Sequence, residues 1–159
     1  MKSALTAVET AANAPGKQAD LVVVDTDIMS SVVLPRSVTQ RSVVAGDWLE
    51  LLAGFRIAIA VQTRVELLAW PLVKGWGATR ATQLRAAVDA VPTIQVSTEV
   101  QEAYAELTAA ARRVGHAIHA KEHAADRWIA ATAIAVGLPL ASGDGVFMDV
   151  PGLVRLEAT

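Results

Sequence analysis

Asp25 and Asp27 come directly after the run Leu21-Val22-Val23-Val24, and Asp144 follows Leu140-Ala141-Ser142 in the same manner. Both runs read as strands, and the first is apolar on both faces, as a strand in the middle of a parallel sheet must be. A carboxylate at the carboxyl end of such a strand opens into the crevice where α/β sheets bind ligands. Asp126 falls in the first turn of an apolar helix, with Ile129, Ala130 and Ala133 at i+3, i+4 and i+7. That spacing places it at the rim of a buried face. Glu66 lies near the start of another helix. Carboxylates gathered at one sheet edge are hard oxygen ligands, suited to one or two cations such as Mg²⁺ or Mn²⁺. A cation so held activates water and neutralises charge on a phosphodiester. Each acid also has a structural use. Asp25 or Asp27 would N-cap the helix after the first strand, Asp126 suits a helix start, and Thr63-x-x-Glu66 spells a capping box. The pattern leaves these uses open.

The elements that must position these groups alternate between strand and helix. After residues 21–24, the spacing predicts a short helix stopped at Pro35 and a helix capped by Ser37 that runs through Trp48 to Gly54. Residues 56–61 read as the second strand, and a helix opening at Thr63 runs to Trp70-Pro71. Residues 78–90 are helical and 93–96 form a short edge strand. Thr98 caps a long helix with Val100, Tyr104, Leu107 and Ala111 inward and Glu99, Glu102 and Glu106 in solvent. An almost wholly apolar helix over residues 124–136 ends at Gly137, and residues 138–142 and 153–156 supply the last strands. Such alternation specifies an α/β fold with a mainly parallel central sheet flanked by helices, in a single domain.

Composition narrows the function classes. At 159 residues one substantial core is expected, and the absence of cysteine removes disulfides and thiolate metal sites. The chain is 53% hydrophobic, yet its longest apolar run, residues 128–141, is interrupted by Thr132, Gly137 and Pro139 and is too short to span a bilayer. A cytoplasmic protein with no membrane partner is expected. Residues 1–20 are Ala-rich with no β-branched run or sustained apolar segment, and read as a flexible N-terminal extension before the domain over 21–157. The formal charge of −2 is more than accounted for by the five acids of the site, so mild acidity is compatible with a phosphate-bearing substrate once a cation is bound.

Asp25-Thr26-Asp27 after a strand, Glu66-Leu67 in a helix, the run Asp126-Arg127-Trp128-Ile129-Ala130-Ala131-Thr132-Ala133, and Gly137-Leu138-Pro139-Leu140-Ala141-Ser142-Gly143-Asp144 together resemble the PIN-domain nucleases. More narrowly they are similar to the VapC-type toxins of toxin–antitoxin pairs, over residues 21 to about 157. The resemblance implies a PIN-like fold, a Mg²⁺- or Mn²⁺-dependent endoribonuclease, a homodimer, and a cognate antitoxin whose tail blocks the site. Asp25, Glu66, Asp126 and Asp144 match the family's acidic catalytic positions, with Asp25, Asp126 and Asp144 as metal ligands. Ser142 stands where a Ser or Thr holds the strand-end loop. Asp27 replaces a common Asn and is a supporting residue. Arg64 and Arg127, neighbours of site acids in sequence, are expected to meet phosphates of the RNA.

Two other patterns compete. Asp25-x-Asp27 after a strand resembles the haloacid dehalogenase phosphatases, in which Asp25 would be a covalent nucleophile. His119-Ala120-Lys121-Glu122-His123 spells an inverted zincin motif if it is helical, and a solvated loop otherwise. A PIN-like scaffold that binds RNA without cleaving it is the non-enzyme alternative. Trp70 and Trp76, around a Pro/Gly-flanked turn, are expected either in the core or on a partner-binding surface.

Overall fold

The computed structural model describes residues 20–39 and 45–158. The expected N-terminal extension, apart from Asp20, lies outside the described residues. The chain runs β1 (Leu21–Val24), α1 (Thr26–Ile28, continued by a π-helical turn over Met29–Val33), α2 (Ala45–Leu52), β2 (Arg56–Ala60), α3 (Val61–Lys74), α4 (Ala78–Asp89), β3 (Thr93–Ile94), α5 (Thr98–Val114), α6 (Ala124–Val136), β4 (Leu140–Ala141) and β5 (Arg155–Leu156). The five strands form one sheet in the order β3-β2-β1-β4-β5, and every pairing is parallel.

Strand pleating divides the core in two. Val22 and Val24 point to one face with Ile59 and Ala141, under Leu67 of α3 and Leu84 and Val88 of α4. Val23, Ala58, Ala60 and Leu140 point to the other, under Leu107 and Ala111 of α5 and Ile129, Ala130 and Ala133 of α6. Residues two apart share a face and neighbours do not. Alanine on both β2 and α6 lets that helix pack close to the sheet. No helix among the described residues is long and apolar enough to cross a membrane.

The sheet agrees with the α/β expectation, and the differences fall at element boundaries. Ser37 lies in a turn closed by Val38 N–H to the Pro35 carbonyl at 2.9 Å. The next helix begins at Ala45 among the described residues and ends at Leu52, short of Gly54. The short helix before Pro35 begins at Thr26 and widens into a π turn, with Leu34 N–H bonded to the Met29 carbonyl at 2.9 Å. Such turns recur at functional sites. Ser97 rather than Thr98 caps α5, accepting the Val100 N–H at 3.4 Å. α3 starts at Val61, directly on the end of β2, and continues past Pro71 to Lys74, where left-handed Gly75 (φ 62°) ends it.

Candidate active site

The strand order determines where a site must lie. The chain leaves β1 toward β2 and leaves β4 toward β5, in opposite directions, so a crevice opens between β1 and β4 at their carboxyl ends. Val24 pairs with Ala141, which makes Asp25 and Ser142 the first residues past the paired ends. Helices that return antiparallel to the strands begin at this same edge. Asp126 in the first turn of α6 and Glu66 in the second turn of α3 are delivered there.

A cavity of about 230 Å³ occupies the crevice. Asp25, Asp27, Glu66, Asp126 and Asp144 line it, and Thr26, Trp70, Ile129 and Phe147 complete the wall. All five acids singled out in the sequence therefore meet, from four separate stretches of chain. No Lys, Arg or His is among the described residues lining it.

Asp25 is the most constrained of them, with 3% of its surface exposed. One oxygen caps α1, accepting the Ile28 N–H at 2.7 Å, and the other accepts the Ser142 hydroxyl. Burial drives its pKa from 3.8 to about 6, against the two hydrogen bonds and with help from the charges of Asp27 and Asp144. Fully buried Ser142 also accepts the Asp144 N–H at 3.0 Å, so one hydroxyl couples the acids at both strand ends. Asp144 in turn caps the short 3₁₀ turn Gly145–Phe147, accepting the Val146 N–H at 2.9 Å.

Glu66 does not form the capping box. Because α3 starts at Val61, Thr63 sits inside the helix, fully buried. The Glu66 carboxylate instead accepts the Thr26 hydroxyl at 2.6 Å and the Gln62 amide at 3.2 Å. Asp126 is bonded to His123 Nδ1 at 3.0 Å. Partial burial raises its pKa, opposed by His123 and reinforced by the charges of Asp144 and Glu66. Asp27 is exposed in the first turn of α1; the cap is Asp25, and Asp27 contributes charge to the cavity.

The two arginines are engaged elsewhere. Arg64 precedes Glu66 by two residues, roughly 200° around the helix, and pairs with Asp89 of α4 at 2.5 Å. Arg127 is buried and bonds the carbonyls of Ile118 and Ala120 and the hydroxyl of Tyr104. Neither lines the cavity. The zincin pattern is absent as well: His119, Glu122 and His123 lie on two separate 3₁₀ turns, and His119 Nδ1 is bonded to the His116 carbonyl at 2.6 Å.

Sequence reasoning missed Thr26 as the holder of Glu66, His123 as the partner of Asp126, and the apolar wall. The signal for the wall was helical spacing: Trp70 is four residues past Glu66, and Ile129 three past Asp126.

The comparisons decide the family. A sequence model described as "PIN domain" matches residues 22–153. This chain belongs to the PIN-domain family. The phosphatase reading of Asp25-x-Asp27 falls with that assignment. No curated protein sequence matches the chain. Among solved structures, the PIN chain is similar in fold to VapBC2 from Rickettsia felis bound to a DNA fragment from its promoter, with TM-score 0.65 and 22% identity over 86% of this chain and 97% of that one. FitAcB from Neisseria gonorrhoeae gives TM-score 0.64 and 22% identity, again covering 86% and 97%. DNA-bound VapBC from Salmonella typhimurium gives 0.63 and 15%, covering 88% of this chain and 99% of that one.

The donor set fits a hard divalent cation. It consists of carboxylate oxygens, and the charges of Asp27 and Asp144 help to raise the pKa of Asp25, so a cation would relieve the repulsion. Among the described residues no three carboxylate or imidazole groups converge to enclose an ion as they stand. A hard cation there would take some of these carboxylate oxygens and complete its shell with water. Millimolar Mg²⁺ or Mn²⁺ is expected to raise the melting temperature, the added stability being about 2.7 kcal/mol at a hundredfold excess over Kd. Parallel thermal melts with metal and with EDTA check this, and no upward shift would count against a cation site.

Proposed function

We propose that the protein is a Mg²⁺-dependent endoribonuclease, the toxin of a toxin–antitoxin pair, acting in the cytoplasm as a homodimer. The observation that carries this reading is the convergence of five carboxylates on one cavity at the strand-switch crevice of a PIN fold. Asp25, Asp126 and Asp144 would hold Mg²⁺ or Mn²⁺. The chemistry such an ion supplies when bound is activation of water and neutralisation of charge on the phosphodiester. The chain's own residues do the rest. Ser142 keeps Asp25 and Asp144 in fixed relation, Thr26 and Gln62 hold Glu66 toward the cavity, and His123 orients Asp126. Glu66, a carboxylate accepting two hydrogen bonds, would orient the attacking water.

Incubating the purified protein with total RNA, with and without Mg²⁺, and mapping new 5′ ends tests the activity. Metal-dependent cuts should appear with wild type and vanish in Asp25→Ala and in Asp126→Ala. Cleavage preserved in either variant would remove that acid from the site. RNA retained without cleavage would mark a non-catalytic binding domain.

The similarity in fold to a toxin-antitoxin complex from Klebsiella pneumoniae, with TM-score 0.60 and 20% identity over 87% of this chain and 98% of that one, supports a cognate antitoxin. The segment around Trp70 and Trp76, singled out in the sequence, is where we infer that contact. Trp70 and Trp76 meet edge to face with centroids 6.4 Å apart, and both pack on the core. Lys74 Nζ lies 4.4 Å from the Trp70 ring centre and Arg80 3.6 Å from that of Trp76. Between these two half-buried indoles, Leu72 and Val73 stand in solvent, 84% and 81% exposed. Leu72→Asp with Val73→Asp should weaken capture of the co-expressed partner at least tenfold, about 1.4 kcal/mol, and leave the metal-induced melting shift intact. A pull-down with unchanged yield would place the contact elsewhere.

A further inference from the structure

Beside the carboxylate cavity lies a second one of about 330 Å³, and the two share Asp27 and Asp144 as a common wall. The rest of its described lining includes Ser30 and Ser31 of the α1 turn, Trp48 of α2, and Gly143. The volume is at the small end of ligand cavities and accommodates one nucleobase.

Among the described residues, and apart from the Trp48 indole N–H, the polar wall has one hydrogen-bonding character. Ser30 and Ser31 both donate their hydroxyl hydrogens to the Asp27 carbonyl, at 3.1 and 2.6 Å. With the hydrogens committed, each Oγ offers only lone pairs to the cavity. The carboxylates of Asp27 and Asp144 are acceptors too. The lining also includes the Trp48 indole, beside the bare backbone of Gly143. A methyl group on Gly143 would meet only Trp48 ring atoms, at 3.9 Å, so the missing side chain is what keeps this corner open. Acceptor groups in a cavity that is also lined by an indole suit a planar ring that presents N–H donors. Guanine carries N1–H and the N2 amino group side by side. Uracil has a single N–H flanked by two carbonyls, which this wall repels. Single-stranded RNA exposes these edges for reading.

We propose that this second cavity is the base-reading subsite of the enzyme, taking the nucleobase next to the scissile phosphate and favouring guanine over uracil through Ser30, Ser31 and Asp27. The location beside a scissile phosphate rests on the nuclease reading; the preference for a donor-bearing base rests on the cavity alone.

Neutral nucleosides are the cleanest probe, because a metal-free carboxylate site repels free phosphate. Guanosine and uridine are titrated into ¹⁵N-labelled protein while the Trp48 indole N–H resonance is followed. Guanosine should shift it at a concentration on the order of tenfold lower than uridine. The Ser30→Ala/Ser31→Ala double variant should bring the two nucleosides level, and Gly143→Val, which fills the cavity beside Trp48, should remove the response to both. The dispersion of the same spectra reports whether each variant is folded, and either folded variant is sufficient for the test. Equal responses to the two nucleosides in wild type, or no response to either, would overturn the proposal. So would a guanosine preference that survives both variants. A second arm measures kcat/KM with Mg²⁺ on oligoribonucleotides that differ only in the bases flanking one bond. Cleavage without guanine preference overturns the subsite and leaves the nuclease standing. Guanosine preference in the titration with no cleavage of any oligonucleotide overturns the nuclease and leaves the base pocket.

Discussion

Asp25→Asn is expected to make the metal-free protein more stable at pH 8 while abolishing metal-dependent RNA cleavage. The buried carboxyl of Asp25 has its pKa raised from 3.8 to about 6, chiefly by loss of water. Below pH 3.8 the carboxyl is protonated in folded and unfolded chains alike, and its ionisation costs nothing. As pH rises from 3.8 to 6, the unfolded chain gives up the proton first, so wild-type stability falls through this window. Above pH 6 the full cost is present, about 3 kcal/mol for a shift of roughly two units. An amide never ionises and escapes that cost. Its oxygen still accepts the Ile28 N–H, and its NH₂ donates to the Ser142 oxygen, so both links of Asp25 survive in altered polarity. The gain of Asn over Asp should therefore be near zero at pH 3.8 and largest above pH 6. Denaturation curves at both ends of the window, in EDTA, read it directly. Added Mg²⁺ should narrow the gap by stabilising wild type alone. A variant less stable than wild type at pH 8 without metal would mean that the Ser142–Asp25 bond outweighs the burial of charge.

Arg127→Met should destabilise the fold by about 3 kcal/mol, the range for losing hydrogen bonds from a charged donor to buried acceptors. At this chain length that is a fall on the order of 10 °C in melting temperature. Arg127 is 7% exposed and donates to the Ile118 carbonyl at 2.8 Å and the Tyr104 hydroxyl at 2.7 Å, with its guanidinium 4.7 Å from the Tyr104 ring centre. Tyr104 stacks in turn on Trp128 at 4.0 Å. These contacts tie α5 and α6 to the 3₁₀ turns Ala117–His119 and Lys121–His123, the second of which carries the His123 that orients Asp126. Methionine keeps much of the side-chain volume and supplies no donor, which leaves the fully buried Ile118 with an orphaned carbonyl. Thermal and urea denaturation measure the loss. Unchanged stability together with weakened RNA binding would return Arg127 to the substrate role its position in the sequence suggested.

The contrast between Arg127 and Asp126 marks the boundary between what the sequence determined and what only the folded structure decided. Strand alternation, the buried run at residues 21–24, the apolar helix and the acids at strand ends were legible in the sequence, because burial imposes a period of two on strands and about 3.6 on helices. A carboxylate that follows a central parallel strand has one place to go, and the pairing of Val24 with Ala141 put Asp25 and Ser142 there together. Helix starts were less legible. Thr63 and Glu66 carry a capping box in their residue types, yet β2 passes straight into α3 at Val61, and which of two adjacent turns begins the helix is decided by how the helix docks on the sheet. That choice turned Glu66 from a local cap into the partner of Thr26, 40 residues away in the chain. Arginine is harder still, since its long side chain goes wherever an acceptor lies within reach: Asp89 for Arg64, and the Ile118 and Ala120 carbonyls for Arg127. Side chains short enough to be aimed by their own backbone could be placed from the sequence; long ones took their roles from partners that only the tertiary structure brought near.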